Sequence, residues 1–466
     1  MGDPMRSHRI RFLLTFMAGV IAAGFAGALA TSVGSIAATP YEELNLFSSV
    51  LTHVRRHYVE PVDEETLLRG AINGMLQQLD PHSSFLDRDA YKEMQVDTKG
   101  EFHGLGIEIT KRRDGFIEVV SPIDGTPAAR AGIRSRDQIV SICPTDPPEE
   151  WDEPCHTSKS LTLFEAVRLM RGKRGTEITI EVYRDGFEKP MPYTIVRDVV
   201  KVVSVSGRML DPNYAYVRIR AFQERTIQDL ERELERLRDE AGGPLDGVVL
   251  DLRDNPGGLL DQAVKVADVW LDDGLVVYTK GRVESQRQEF RAHRDGTEPD
   301  YPVAILVNEG TASASEIVAG ALQDQHRALV IGVKSFGKGS VQTVYPLESD
   351  SALRLTTALY YTPNGRSIQE VGISPDIPVQ REPESNGQAA VPRRIRERDL
   401  EGHFTQEEAD PEGGDQGVIP EAGKDKPPDL QLARALEVLK SWTYFERLRR
   451  DREATTVQAR AADSAP

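Results

Sequence analysis

One serine stands where its side chain could act as a nucleophile. Ser313 follows the apolar run Val303–Val307 and opens a predicted helix, in a stretch crowded with small residues. Such a stretch lets the backbone bend sharply and exposes a hydroxyl at a helix N-terminus, where the dipole and free N–H groups favour developing negative charge. The pattern indicates a nucleophilic serine, although a serine at this place also serves simply as a helix cap.

One lysine is the candidate base for that serine. Lys338 lies between two glycines, directly after a predicted strand. A lysine acts as a general base only where burial or a neighbouring charge lowers its pKa towards neutrality. Residues 332–339 also imitate a phosphate-binding loop, but Gly339 replaces the hydroxyl residue that such loops need. Ser335 and Lys338 imitate a β-lactamase dyad, but its companion motifs are missing.

A third segment offers backbone groups rather than side chains. The apolar run 248–250 leads into a turn containing Gly257 and Gly258, and a helix is predicted to follow. Backbone N–H groups at such a turn can converge on an oxyanion, although a plain connecting loop has the same composition.

The elements that must position these residues alternate between strand and helix. Over residues 201–380 this alternation predicts a layered α/β domain whose central strands are buried on both faces. Residues 41–95 have apolar side chains at helical spacing, which predicts an N-terminal helical cap. Short β-rich runs and two helix-like stretches over residues 96–200 predict a small β domain. The expected fold class is therefore α/β multidomain.

Both ends of the chain carry further segments. Residues 1–40 place three arginines before a long apolar stretch, which predicts a signal peptide or a membrane anchor. We therefore expect the protein in the bacterial periplasm, soluble after signal cleavage or anchored to the inner membrane. Residues 381–428 are acidic and poor in large apolar residues, which predicts a disordered linker. Residues 429–466 predict an amphipathic helix and a polar tail.

Composition excludes some classes of function. The formal charge of −17 over 466 residues argues against nucleic-acid binding, which needs a clustered basic face. The two cysteines, Cys143 and Cys155, form a disulfide or remain as two thiols. A zinc site is not expected, because no second Cys or His pair has the required spacing. No metal, nucleotide or flavin cofactor is implied.

The three segments together closely resemble the C-terminal processing, or tail-specific, serine peptidases, from about Phe47 to Pro378. The resemblance implies an endopeptidase with a crotonase- or ClpP-like α/β core and a Ser/Lys dyad that works through an acyl-enzyme. By position it assigns the nucleophile to Ser313, the base to Lys338 and a lysine-positioning role to Gln342. Thr311 is a mild departure, since the family usually has a serine there.

The same resemblance places the oxyanion hole on backbone N–H groups. These belong to Ala314 and to either Gly257 or Gly258, and the sequence does not decide between the two glycines. Glu316 is expected to be a helix-dipole partner rather than a catalytic group.

The β domain resembles a PDZ module, which binds the C-terminal ends of other proteins. The resemblance rests on the segment Phe102–Ile109 and on later stretches such as Val120–Ile133. It implies that a glycine-rich loop holds the carboxylate and that the adjoining strand pairs with the peptide. The loop residues are Gly104, Leu105, Gly106 and Ile107. The segment from Cys143 to Cys155 is an insertion where the family has a short turn.

These features imply partners and leave alternatives. The expected partners are protein substrates with accessible C-terminal tails, an activator or adaptor protein, the membrane through the N-terminus, and further copies of the chain. A non-catalytic PDZ scaffold is the main alternative, but it would lack the nucleophile or the base. An acyl-CoA hydratase of the crotonase-like superfamily would carry neither an export signal nor a PDZ module.

Overall fold

The computed structural model describes residues 40–112, 115–145, 147, 151, 153–380, 395–405 and 429–463. The chain divides into two units, Met1–Gly74 and Met75–Pro466. All but the last residue of the predicted export segment, 1–40, lies outside the described residues. None of the described helices is both long enough and apolar enough to span a membrane.

The first unit is helical. Helix α1 spans Pro40–His57, and helix α2, Glu64–Gln77, begins in this unit. Each helix has glutamates in its first turn, where they complement the helix dipole. An ion pair joins Arg55 to Glu64 at 2.8 Å, but both side chains are about half exposed, so it contributes little.

The second unit begins with a short strand and a helix that lead into the β domain. Strand β1 is Ser84–Leu86 and helix α3 is Arg88–Lys99. Asp87 caps α3 by accepting from the N–H of Ala90, and Gly100 ends the helix with a φ of 70°. A left-handed residue at this place favours glycine.

The β domain has two sheets and two short helices. Strand β2 pairs antiparallel with β9, and a second antiparallel sheet has the order β3-β4-β5-β7-β8, with β6 on β5. Burial alternates along β7, as expected of a strand with one face on the core. The elements are β2 Glu101–Gly104, β3 Ile107–Lys111, β4 Ile117–Pro122, α4 Pro127–Arg130, β5 Gln138–Pro144, β6 His156–Thr157, α5 Leu163–Met170, β7 Glu177–Tyr183, β8 Met191–Val196 and β9 Asp198–Lys201.

A disulfide joins Cys143 to Cys155, which is the first of the two alternatives that the sequence left open. It closes the insertion between β5 and β6. Trp151 within the insertion stacks on His156, with 4.5 Å between ring centroids, and packs against the core of the β domain. The insertion is therefore held to the β domain by the contacts of Trp151 as well as by the disulfide.

The α/β domain is built on a six-stranded sheet with the order β10-β11-β12-β15-β16-β19. Only the β10–β11 pair is antiparallel. Every residue of β12 and β15 is buried, because helices cover both faces of the sheet. The sheet strands are β10 Val205–Asp211, β11 Tyr214–Ile219, β12 Gly247–Asp251, β15 Val303–Val307, β16 Ala328–Gly332 and β19 Ile377–Pro378.

Two helical layers enclose this sheet. Helices α6, α7 and α8 pack on one face through apolar residues such as Leu234, Val266 and Val318. Helix α9 packs on the opposite face, where Ala435 and Leu439 are buried. The helices are α6 Thr226–Ala241, α7 Leu260–Asp268, α8 Ala314–Asp324 and α9 Leu430–Asp463.

A second sheet lies beside the helices of the α/β domain. It has the order β1-β18-β13-β14, with β17 also paired to β18. Its strands are β13 Leu275–Gly281, β14 Gln288–Arg291, β17 Ser340–Pro346 and β18 Ala352–Tyr361. A short 3-10 helix, Glu284–Gln286, connects β13 to β14.

Part of the predicted disordered linker differs from the expectation. Within residues 381–428 the structure describes 395–405, which contain a 3-10 helix at Glu397–Asp399. The side chain of Glu397 is fully buried. Polar partners from distant parts of the chain surround it, and low apolar content does not reveal such partners. The rest of the predicted linker lies outside the described residues.

Candidate active site

Ser313 sits at a sharp turn between the end of β15 and the start of α8. Its backbone has φ 58° and ψ −118°, a conformation that costs a non-glycine residue energy and that concentrates at functional sites. The neighbouring Gly257 leaves room for the turn, because a Cβ there would lie 2.8 Å from that of Ser313. Thr311, the departure from the family pattern, is buried and donates a hydrogen bond to the carbonyl of Leu252.

Glu316 ties the serine turn to the lysine loop. Its side chain is fully buried, and one carboxylate oxygen accepts from the N–H of Ser313 at 2.8 Å and of Lys338 at 3.0 Å. The other oxygen accepts from the N–H of Gly337 at 2.8 Å and from the hydroxyl of Ser335 at 2.5 Å. Burial raises the pKa of Glu316 to about 7, while these four donors favour the charged form. Glu316 is therefore more than the helix-dipole partner that the sequence indicates.

Lys338 lies in the loop between β16 and β17, and it is partly buried. Burial lowers the pKa of Lys338 below its usual value, and the nearby Arg354 lowers it further. The carboxylates of Glu397, Asp80 and Glu316 act in the opposite direction. A lysine in these surroundings loses its proton more readily than a lysine on the surface.

Tyr360 joins the two candidate catalytic residues. Its phenol oxygen lies 2.9 Å from Ser313 Oγ and 2.7 Å from the carbonyl oxygen of Lys338. A phenol has one proton and a carbonyl can only accept, so Tyr360 donates to Lys338 and Ser313 donates to Tyr360. Burial raises the pKa of Tyr360, which keeps the phenol protonated. Among the described residues, no hydrogen bond joins Ser313 Oγ to Lys338 Nζ.

The candidate oxyanion donors surround Ser313. The N–H of Gly257 already donates to Asn255 Oδ1 at 2.9 Å. Ala314 is the first residue of α8, and neither its N–H nor that of Gly258 has an acceptor within the described part of the chain. Gly258 has a φ of 140°, and a Cβ there would lie 2.2 Å from the carbonyl oxygen of Phe222, so no other residue fits.

Two further residues from the sequence have other partners. Gln342 lies in β17, where its amide donates to Ser340 Oγ at 2.8 Å rather than to Lys338. Ser335 is buried, and its hydroxyl donates to Glu316 and accepts from the N–H of Ile373. Ser335 is thus a structural residue of the lysine loop, in agreement with the rejection of the Ser335/Lys338 dyad.

The candidate peptide-binding loop lies at the edge of the β domain. The carbonyl groups of Leu105 and Gly106 accept from the N–H of Ala128 and Ile123, both at 2.9 Å. In the parts of the chain that the structure covers, the N–H groups of Leu105 and Gly106 have no acceptor. Ile107 follows in β3, which pairs with β4 alone among the described strands. Gly104 ends β2.

Sequence reasoning missed three features of this site. The sequence indicates only a helix-dipole role for Glu316, and Tyr360 carries no signal beyond its place in a β-rich run. Glu397 falls in an acidic segment that is poor in large apolar residues. A glutamate three residues after a helix-capping serine was the only available hint for Glu316. No group of three or more possible metal ligands occurs in the described residues.

The comparisons with known proteins agree on one family. Residues 213–379 match peptidase family S41, and residues 28–90 match the N-terminal domain of the activating protease CtpB. A carboxy-terminal-processing protease from Bartonella bacilliformis is 43% identical and covers 92% of this chain and 96% of its own length. The carboxy-terminal processing protease CtpA from Bacillus subtilis is 33% identical over 73% of this chain and 70% of its own.

A solved structure of a photosystem II D1 C-terminal processing protease is 30% identical. It covers 72% of this chain and 86% of its own chain, with a TM-score of 0.41.

Proposed function

Because this chain belongs to peptidase family S41, the family of the carboxy-terminal-processing serine proteases, we propose that Ser313 is its nucleophile and Lys338 its general base. The observation that carries this proposal is the shared anchor: the N–H groups of both residues bind the same carboxylate oxygen of Glu316. Two segments held by one buried carboxylate keep a fixed spacing, which catalysis by a dyad requires.

The reaction follows from these positions. Neutral Lys338 takes the proton from Ser313 as Oγ attacks the carbonyl carbon of the scissile peptide bond. Lys338 then gives that proton to the leaving amine, the peptide C–N bond breaks, and an acyl-enzyme on Ser313 remains. Water loses a proton to Lys338 and attacks the acyl group. The serine recovers its proton from Lys338, and the product acid leaves.

The oxyanion of each tetrahedral intermediate needs two N–H donors. We assign them to Ala314 and Gly258, because the N–H of Gly257 is already bound by Asn255. The helix dipole of α8 adds positive potential at Ala314.

The free enzyme needs one adjustment before attack. The hydroxyl proton of Ser313 points to Tyr360, and in the reaction it must point to Lys338 Nζ. The Ser313 side chain must therefore turn away from Tyr360 before attack. Catalytic hydrogen bonds often form only in the substrate complex, so this geometry is compatible with the dyad.

Substrate recognition is assigned to the β domain. The free N–H groups of Leu105 and Gly106 suit a terminal carboxylate, and the exposed edge of β3 suits an extended peptide that adds a strand. The chain thereby captures the C-terminal tail of a protein and cleaves a peptide bond upstream of it.

Cleavage of a model protein with an unstructured apolar tail tests the dyad. Ser313→Ala and Lys338→Ala are expected to abolish cleavage while the tail still binds. Lys265→Ala is the control, since Lys265 is an exposed lysine on α7, 3.3 Å from Asp261, and lies outside the proposed site. Cleavage that survives Lys338→Ala would assign the base to another group.

A tail peptide in two forms tests recognition. The free carboxylate is expected to bind at least about tenfold more tightly than the carboxamide, because charge-assisted hydrogen bonds from the loop are lost in the amide. Equal affinity for the two forms would exclude carboxylate recognition. Tail binding without cleavage by the wild type would favour the scaffold alternative.

A further inference from the structure

A segment beyond the α/β core reaches the lysine loop. Residues 395–405, here called the strap, lie after the stretch that matches peptidase family S41. The side chain of Glu397 in the strap is fully buried, which is rare for a carboxylate and costly unless hydrogen bonds compensate. His82 Nε2 lies 2.8 and 2.9 Å from its two oxygens, and Gln369 Nε2 donates to it at 2.9 Å.

The contacts of Glu397 continue directly to the lysine loop. Gln369 is fully buried, and its oxygen accepts from the N–H of Gly339, the residue after Lys338, at 2.9 Å. The backbone N–H of Glu397 donates to the carbonyl of Phe336 at 3.3 Å. Two residues that flank the Gly337–Lys338 pair are therefore bound through the strap.

A second contact fixes the strap at its far end. His403 Nε2 lies 2.6 Å from Glu370 Oε1, and its Nδ1 lies 2.7 Å from the carbonyl of Leu400. The N–H of Glu370 donates in turn to the carbonyl of Gly337 at 2.8 Å. The hydrogen bond to the Leu400 carbonyl is the main cause that raises the pKa of His403, and the hydrogen bond to Glu370 adds to it. A raised pKa favours the imidazolium form, which attracts the Glu370 carboxylate.

We propose that the strap is part of the active site and that Glu397 is a positioning residue for Lys338. This inference rests on the proposed role of Lys338 as base. Glu316 holds the lysine loop from the side of α8, and Glu397 holds it from the side of the strap. The negative charge of Glu397 also stabilises the charged form of Lys338 and so raises its pKa.

The charged groups around Lys338 determine in which direction its pKa moves when Glu397 is replaced. Arg354 from β18 favours the neutral lysine, whereas Glu397 from the strap, Asp80 from the loop before β1 and Glu316 from α8 favour the charged one. Although burial opposes its ionisation, hydrogen bonds from His82 and Gln369 keep the pKa of Glu397 below its usual value. The carboxylate is therefore charged at neutral pH, and its removal lowers the pKa of Lys338.

The test compares Glu397→Gln and Glu397→Ala with the wild type in the full-length chain, measuring kcat and KM for the model protein from pH 6 to pH 10. Glu397→Gln keeps the shape and loses the charge, so its pH for half-maximal kcat/KM is expected to move to lower pH. Glu397→Ala is expected to shift the pH for half-maximal kcat/KM in the same direction. Its kcat is expected to fall between about tenfold and about a hundredfold, with KM within about twofold, because the lysine loop loses the hydrogen bonds that position it. Glu235→Gln, which removes an exposed acid of helix α6 outside the site, is the control.

The outcomes separate this inference from the dyad itself. A wild-type pH midpoint in Glu397→Gln overturns the positioning role, even if the variant melts at a lower temperature, since a purely structural contact would change stability alone. If Glu397→Ala does not fold, the pH midpoint of Glu397→Gln alone tests the positioning role. Activity in Lys338→Ala would remove the base on which the strap acts and overturn both proposals.

Discussion

At the scale of single residues, the site depends on a serine held in an unfavourable backbone conformation. A φ of 58° with a ψ of −118° costs about 1–3 kcal/mol for a residue with a Cβ. The hydrogen bond from Ser313 N–H to Glu316 and the absence of a side chain at Gly257 allow the turn to persist. The hydroxyl is thereby presented at a helix N-terminus on a rigid support.

The first prediction concerns the phenol of Tyr360. Tyr360→Phe removes the hydroxyl that binds Ser313 Oγ and the carbonyl of Lys338. The lost bond to Lys338, worth about 1 kcal/mol, loosens the lysine loop beside the serine, and kcat is expected to fall about fivefold. Steady-state cleavage kinetics measure this change. Tyr361→Phe is the control, because Tyr361 stacks on Tyr278 and lies outside the site. An unchanged kcat in Tyr360→Phe would show that the phenol has no part in aligning the serine.

The second prediction concerns pH. Burial, with help from Arg354, lowers the pKa of Lys338, and only the neutral lysine can accept a proton. The neutral fraction grows as pH rises through that pKa, so kcat/KM is expected to increase between pH 6 and pH 9 until another group titrates or the protein unfolds. A substrate without histidine or cysteine near the cleavage site isolates the titration of the enzyme. A flat profile would contradict a lysine base.

At the scale of elements, a helix and a loop meet at one buried carboxylate. Helix α8 contributes Glu316 from its first turn, and the loop after β16 contributes three donors from Ser335 to Lys338. This contact joins the start of α8 to the lysine loop, which are not paired with each other as strands. It therefore holds Ser313 and Lys338, the proposed nucleophile and base, at one carboxylate.

The third prediction tests this contact. In Glu316→Gln the amide NH₂ replaces an acceptor and faces N–H or O–H donors, so two buried donors lose their partner. The free energy of unfolding is expected to fall by about 3 kcal/mol, and cleavage is expected to be lost. Chemical denaturation and the cleavage assay measure the two effects.

Asp261→Asn is the matched control for that variant. Asp261 occupies the first turn of α7, as Glu316 does in α8, but its side chain is exposed beside Lys265. A change within about 0.5 kcal/mol is expected for it. Equal effects of the two substitutions would mean that Glu316 acts only as a helix-dipole partner.

At the scale of the α/β domain, helix α9 completes the layered core although it follows the region that matches the S41 family. Ala435 and Leu439 pack against Val249 and Leu306 on the sheet face opposite α8. Arg253 also donates to both oxygens of Asp429, just before the helix. The helix covers an apolar sheet face that would otherwise meet solvent.

The fourth prediction concerns the stability that helix α9 contributes by packing on the sheet. Leu439→Ala leaves a cavity against the sheet and is expected to cost about 2–5 kcal/mol of unfolding free energy. Leu448→Ala is the control in the same helix, since Leu448 is exposed and its change is expected to stay within about 0.5 kcal/mol. Urea unfolding of both variants gives the comparison. Equal midpoints would show that α9 does not stabilise the core.

Much of the secondary structure and the candidate residues could be predicted from the sequence. The apolar run Val303–Val307 is a strand with those bounds in the structure, and the helix predicted after Gly258 begins at Leu260. Hydrophobic periodicity and turn residues are local signals, and they encode such elements directly. Ser313 and Lys338 stood out for the same reason, because small residues and glycines flank them.

Contacts between distant segments were decided only by the tertiary structure. Tyr360 lies 47 residues from Ser313, and His82 lies 315 residues from Glu397. The sequence predicts the strap as part of a disordered linker because residues 381–428 are acidic and poor in large apolar residues. Glu397 is buried nonetheless, since His82 and Gln369 satisfy its charge. The sequence determined which segments hold the candidate catalytic residues, and folding determined which polar groups compensate one another, because a hydrogen bond needs a partner in space.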